Sequence, residues 1–410
     1  MRVAVHAPFG IRKLCIPKEA KSPLEWAGTN SKEVSSMFST KDLSRRGFLN
    51  MGAMAGAGAL LSGTGLIRPA SAASPLAPIA AEDALIAFGH TGPTSDEGWT
   101  WAHDQGMKAV EAAFPGIKTT FVESIPYSAD ATRIFRQFVS EGANMVFATS
   151  SYGDFLYDVA KRAPDVAFYE CDGRAPLDNL GNYYVQHWYP SYVAGIAAGA
   201  MSASGKLGYI GSFPVPSVYS GTNAFLMGAR TVNPEATLQT IIINSWFDPQ
   251  AATQAGTALL DNGCDVLFGI MDEAGYLQVA QERGAKAVMW NTDLRRYGPD
   301  AYITSVMVDF KAFYVEQVRR RLEGTWTPTA DLLPLSGGVD RDAWGATVPA
   351  EVAAKADMAR TKMLTEGWNP FVGEIKDSKG NVKVAAGQAM TEQELYHWNW
   401  SVEGVFGLDS

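Results

Sequence analysis

Two runs of short apolar segments, each alternating with longer amphipathic stretches, follow one another along residues 84–323. Short apolar runs bounded by turns mark strands buried on both faces, and helical spacing between them marks crossovers. In the first run strands are predicted at 84–88, 118–122, 144–148, 166–169 and 182–186, with helices at 98–114, 129–141 and 155–162. The pattern restarts at Gly205. Strands at 205–210, 240–243, 265–268, 287–290 and 302–306 then alternate with helices at 220–231, 250–260, 276–283 and 312–323. Such a chain folds as α/β, with two Rossmann-like lobes that each hold an open parallel sheet covered by helices. Lobe 1 is expected over 83–204 plus about 309–410, and lobe 2 over 205–308. A helix at 191–204 is expected to cap lobe 1 and lead into the crossover. Segments near Val308 and Leu333 are expected to cross back. Near the end, Asp377-Ser378-Lys379-Gly380 lies between short β-like runs and reads as a hairpin turn, within a small C-terminal β appendage.

The first 72 residues do not fit this pattern. Arg45 and Arg46 precede Gly47-Phe48-Leu49, a mildly apolar Gly/Ala/Leu run follows from Gly52 to Ile67, and Ala70-Ser71-Ala72 closes it. That order is a twin-arginine export signal with a small-residue cleavage site after Ala72. The run is too weakly apolar to be a membrane span. The mature chain is expected in the periplasm, and Met37 is an alternative start. The leader holds 10 Lys+Arg against 4 Asp+Glu, so the remainder carries 24 against 39, a net charge of −15. An acidic body excludes a nucleic-acid partner.

Composition leaves little room for catalysis. No CxxC and no zinc-ligand spacing occur among Cys15, Cys171 and Cys264, and the last two read as small buried hydrophobes. Neither GxSxG, HExxH nor a phosphate-binding glycine loop appears in the body. His90, His103, His187 and His397 have no adjacent ligand set. Asp272-Glu273 reads as solvated or ligand-orienting carboxylates rather than an acid/base pair. No cofactor, no metal and no catalytic residue is expected.

In open parallel sheets a ligand sits beyond the carboxyl ends of the strands, so two facing lobes share a cleft lined by strand-end loops. In lobe 1 those loops carry Asp96, Trp99 and Thr100 after the first strand, Ser151 and Tyr152 after the third, and Trp188 after the fifth. In lobe 2 they carry Phe213, Trp246, Asp272, Asn291 and Asp293. Trp99, Tyr152, Trp188, Phe213 and Trp246 give the cleft an aromatic load that fits a planar heterocycle.

Five stretches of the sequence resemble the basic membrane protein (BMP) family of ABC-transporter substrate-binding proteins. They are Asp96-Glu97-Gly98-Trp99-Thr100 with His103-Asp104, Tyr209 to Pro214, Asn223-Ala224-Phe225 with Gly228-Ala229-Arg230, Asn244 to Pro249, and Trp398 to Val405. The resemblance implies a type I periplasmic binding protein, a monomer that presents a small molecule to ABC permease subunits. It also implies purine nucleosides as ligands, with Asp96 and Trp99 in the first loop and Trp246 stacking on the base from the other lobe. Thr100 stands where those members have Asn. Asn291 replaces the Asp that holds their ribose, and Val308 replaces the Lys. The expectation is therefore an importer component for a purine-type, adenine-like nucleobase or related heterocycle. The alternatives are a nucleoside-binding importer component, an exported nucleoside-processing enzyme, and a ligand-presenting sensor subunit.

Overall fold

The computed structural model describes residues 76–409. Arg45, Arg46, Cys15 and the cleavage site after Ala72 lie outside the described residues. The first sheet contains β1 (Leu85–Gly89), β2 (Lys118–Val122), β3 (Met145–Ala148), β4 (Ala167–Cys171), β5 (Leu180–Val185) and β11 (Ala330–Leu333), in the order β11-β5-β4-β3-β1-β2. All of its pairings are parallel. Helices α1 (Trp99–Ala113), α2 (Ala129–Ser140) and α3 (Asp154–Ala160) supply its crossovers. Strands β3, β4 and β5 are buried along their whole length, which is why they read as continuous apolar runs without alternation.

The second sheet contains β6 (Lys206–Gly211), β7 (Thr237–Ile242), β8 (Val266–Gly269), β9 (Lys286–Asn291), β10 (Tyr302–Val308), β12 (Val339–Arg341) and β15 (Val405–Phe406), in the order β12-β10-β9-β8-β6-β7-β15. Its helices include α4 (Trp188–Met201), α5 (Pro216–Arg230), α6 (Pro249–Asp261) and α7 (Gly275–Arg283). Asp248 caps α6 by accepting from the Ala251 N–H at 2.9 Å, and Pro249 occupies the first turn, where its missing N–H is harmless. The chain passes between sheets three times, after β5, after β10 and after β11. Helix α8 (Lys311–Glu323) lies back on lobe 1, where Tyr314 Oη bonds to His103 Nδ1 at 2.5 Å and to Tyr183 Oη at 2.6 Å. The crossings expected near Val308 and Leu333 are therefore present.

Three expectations are corrected. The helix expected to cap lobe 1 is α4, and it packs on lobe 2, against α5, β9, β10 and β12. Twelve of its 14 residues are buried, so it is an interior helix with no solvent face. The second correction concerns the tail, which the sequence pattern places on lobe 1. β12 pairs antiparallel with β10, β15 pairs with β7, and α9 (Ala350–Glu366) packs on α4, so the appendage belongs to lobe 2. Its hairpin joins β13 (Ile375–Lys376) to β14 (Val382–Val384) across the predicted Asp377–Gly380 turn. The last is Trp188, which is not a cleft aromatic. β5 runs almost directly into α4, and the indole is 0% exposed inside the core shared by both lobes. Cys171 and Cys264 are buried and unpaired, as read.

Candidate functional site

Each sheet reverses direction of winding at one point, between β1 and β3 in lobe 1 and between β6 and β8 in lobe 2. The loops beyond these points meet. The Trp99 N–H donates to Asp272 Oδ1 at 3.2 Å, which ties the loop after β1 to the loop after β8. The Asp272 N–H donates in turn to the Trp246 carbonyl at 3.3 Å. Asp272 therefore holds a tryptophan loop from each lobe. Trp99 is fixed further by its indole N–H, which donates to the Thr149 carbonyl at the end of β3 at 2.8 Å. Its ring meets His103 and Phe310 edge-on at 4.8 and 5.3 Å. Trp246 is freer, 37% exposed, with its ring tilted on Phe213 at 5.7 Å.

A cavity of about 350 Å³ opens between the lobes beside this junction, at the small end of the range for small-molecule sites. Lobe 1 lines it with Asp96 and Glu97, and lobe 2 with Phe247, Asp272, Glu273 and Tyr297. The carboxyl of Asp96 accepts from the Gly98, Thr100 and Trp101 N–H groups at 2.8–2.9 Å, so it satisfies the open N-terminal turn of α1. Asp272 also accepts from the Asn291 side-chain amide. Burial, and then the nearby Asp96 charge, push the Asp272 carboxyl well above the usual range. Burial likewise pushes Glu273 up to about 7.

The sequence candidates separate into groups. Asp96 and Asp272 line the cavity, whereas Trp99, Phe213, Trp246 and Asn291 stand at the Asp272 junction or on the loops bonded to it, outside the cavity lining. Thr100 is buried behind it in α1, and its hydroxyl has no partner. Ser151 is exposed on the lobe 1 rim. Tyr152 points into the outer core of lobe 1, stacked on Tyr127 at 5.1 Å and edge-on to Phe135. Asp293 is exposed and held by Arg295 at 2.9 Å.

Four contacting residues escaped the sequence reading. Glu97 accepts from Tyr297 Oη at 2.8 Å, pairs with Arg296, and its carbonyl accepts from the Thr292 hydroxyl. These bonds fasten lobe 1 to lobe 2 over the cavity. Their partners are about 200 residues apart in sequence, so no local spacing reveals them. A weak signal did exist, because Arg295-Arg296-Tyr297 is a dense basic-aromatic cluster just after a strand end. Backbone geometry marks the same region. Glu97, Ser124, Asp172, Asn244 and Asn291 all have φ between 53° and 66°; Glu97 lies in the loop that leads from β1 into α1, and the other four lie in or just beyond strand ends of the two sheets. Asn and Asp tolerate that left-handed conformation better than most residues.

A buried carboxyl elsewhere in lobe 1 gives the molecule a measurable pH signature. Glu170, in β4, is fully buried, accepts from the Gly153 N–H at 2.7 Å, and has one oxygen without a partner. Burial raises it from 4.5 to about 7. Between these values the folded state holds a proton that the unfolded state has released, so stability is greatest below 4.5 and is lost as pH rises through 7. The buried His90, His103 and His187 are all lowered by burial, His90 to about 4, and they act in the opposite sense below 6.5. They cancel in a comparison with Glu170→Gln. From pH 5 to pH 8 the wild type should lose on the order of 2–3 kcal/mol relative to that variant. Thermal melts at the two pH values check this, and a constant difference contradicts it.

Comparison with known proteins places these features. The family model described as "ABC transporter substrate-binding protein PnrA-like" matches residues 84–336. A purine-binding protein of Brucella abortus is 35% identical over 328 residues, covering 80% of this chain and 94% of that protein. A putative ABC transporter glucose-binding protein of Haloferax volcanii is 32% identical, covering 74% of this chain and 78% of its own length. Among solved structures, an ABC transporter solute-binding protein of Aeropyrum pernix aligns with a TM-score of 0.61 at 14% identity, over 78% of this chain and all of that one. A second, from Conexibacter woesei, aligns with a TM-score of 0.57 at 20% identity, over 70% of this chain and 97% of that one.

Proposed function

The chain belongs to the PnrA-like ABC transporter substrate-binding protein family, and from that premise we propose that it captures a purine-type base outside the cytoplasmic membrane and delivers it to an ABC permease. The observation that carries this reading is the junction at Asp272, where a tryptophan loop from each lobe is bonded to one residue. Trp246, exposed at that junction, offers a flat face for a ring. Each lobe contributes part of the lining, so a bound ligand favours the closed arrangement over an open one. The leader reading supports export through the twin-arginine pathway. The family is one of substrate-binding proteins, which favours capture over turnover.

A free base is favoured over a nucleoside by two positions. Asn291 stands where the resemblance implies a ribose-binding carboxylate, and its amide is already bonded to Asp272. Val308 stands in place of a lysine and is buried and aliphatic. A sugar is the second reading, favoured by the Haloferax volcanii relative and by the carboxylates Asp96 and Asp272 in the lining.

Thermal shift separates the two. A ligand at about 100 times its Kd adds roughly 2.7 kcal/mol to stability. Adenine or guanine is expected to raise the melting temperature, nucleosides less so, and glucose not at all. A shift with glucose alone would overturn the purine assignment. A shift with nucleosides but not bases would overturn the argument from Asn291 and Val308.

A further inference from the structure

The loop between β1 and α1 belongs to lobe 1, yet much of what holds it comes from lobe 2. The Glu97 carboxyl accepts from the Tyr297 hydroxyl at 2.8 Å and pairs with Arg296, and the Glu97 carbonyl accepts from the Thr292 hydroxyl. Arg296 is set in place by lying over the Tyr297 ring, 4.5 Å from its centre. Two residues on, the Trp99 N–H donates to Asp272 Oδ1 at 3.2 Å. Lobe 1 fixes the exit of the loop through Asp96, which accepts from the Gly98, Thr100 and Trp101 N–H groups.

The backbone of the loop is fitted to the facing lobe as well. Glu97 has φ 58°, and a glutamate has neither the freedom of glycine nor the short polar side chain of asparagine to ease that conformation. Such a residue persists where its surroundings over-determine it, and here lobe 2 grips both its carboxyl and its carbonyl. Gly98 presses on the same lobe. A Cβ at this position would stand 2.7 Å from Asp272 Cβ, 2.9 Å from its Oδ1 and 3.0 Å from its Cα. A left-handed Glu97 and a bare Gly98 thus serve one arrangement, the one in which the lobes face each other.

We propose that Glu97 and Gly98 form a latch that closes the cleft by bonds between protein groups alone, so that the lobes close for part of the time before any ligand is held. A ligand then has less of the closing cost to supply. The Glu97 and Arg296 side chains are each about half exposed, so their pair is weak and is screened by salt, which keeps the latch reversible. This inference goes beyond the capture reading and does not depend on which molecule is captured.

The test is the distance between the lobes in the ligand-free protein, measured by pulsed electron resonance between spin labels on Glu141→Cys and Asn262→Cys. Both positions are exposed and precede β3 and β8, so they lie at the ends of the two sheets away from the cleft. The native Cys171 and Cys264 are buried. The otherwise unaltered protein should show a short-distance, closed population of about 10% or more. Gly98→Ala, whose methyl group meets Asp272 only when the lobes are together, should lower the ratio of closed to open by about tenfold. Arg296→Gln should lower it by about two- to fivefold, and so should raising the salt from about 0.05 to 0.5 M. A single long distance in the unaltered protein overturns the latch, and so does a distribution that neither substitution nor salt changes. Arg296 is on the surface, so Arg296→Gln and the salt series decide the matter even if Gly98→Ala fails to fold. Either result leaves purine capture standing, and failure of purines to bind leaves the latch standing.

Discussion

Replacing Trp246 by alanine is expected to weaken binding of the captured ring by about tenfold to a hundredfold while leaving the melting temperature of the ligand-free protein within about 2 °C of wild type. Stacking on an aromatic side chain contributes about 1–3 kcal/mol per base, which sets the size of the loss. The small stability effect follows from position. At 37% exposure Trp246 has not been drawn into the core, and its ring packs in a tilted pair with Phe213. Trp188 and Trp398, both 0% exposed, are the opposite case, and truncating either should cost several kcal/mol of stability. Unchanged affinity in Trp246→Ala would remove this residue from the site. Unfolding would place it in the core.

A large effect on stability for a small change in volume is expected from one methyl group. Gly195 in α4 lies against α5, where a Cβ would stand 2.1 Å from the Phe225 carbonyl oxygen and 2.9 Å from its carbon. Gly228 on the facing helix is as tight, with a Cβ 2.0 Å from the Tyr192 oxygen. Glycine to alanine inside a helix normally stabilises by about 1 kcal/mol. Here the overlap is with backbone, which has no rotamer to move to. Overpacking of a core costs about 1–3 kcal/mol and more when nothing yields, so the clash outweighs the propensity gain. Gly195→Ala should lower the melting temperature by about 2–5 °C. An unchanged or raised value would show that α4 and α5 do not approach this closely.

Local pattern carried most of the architecture. The strands were legible because β3, β4, β6 and β8 are short apolar runs closed by turns, and their observed ends differ from the expected ones by a few residues. The placement of α4 and of the tail was not legible. Both depend on which sheet an apolar surface covers, and α4 is apolar all round, so its sequence does not say which lobe it faces. Trp188 misled for a related reason. A strand end is expected to open into a loop, whereas β5 leads into a buried helix after two residues. The meeting of the loops that carry Trp99, Trp246 and Asp272 was legible because each loop follows a strand. Tyr152 also follows a strand, but its side chain turns to the outer face of the sheet. The fastening of Glu97 to Tyr297 and Arg296 arises only when the lobes face each other.

Isothermal titration of the protein with adenine and guanine, followed by chemical analysis of the recovered ligand, tests capture without turnover most directly. The account predicts saturable binding of at least one of these bases with one ligand per chain, a negative heat-capacity change as apolar surface is buried, and ligand recovered unaltered. Binding of neither base, or conversion of the added base into a product, would contradict it.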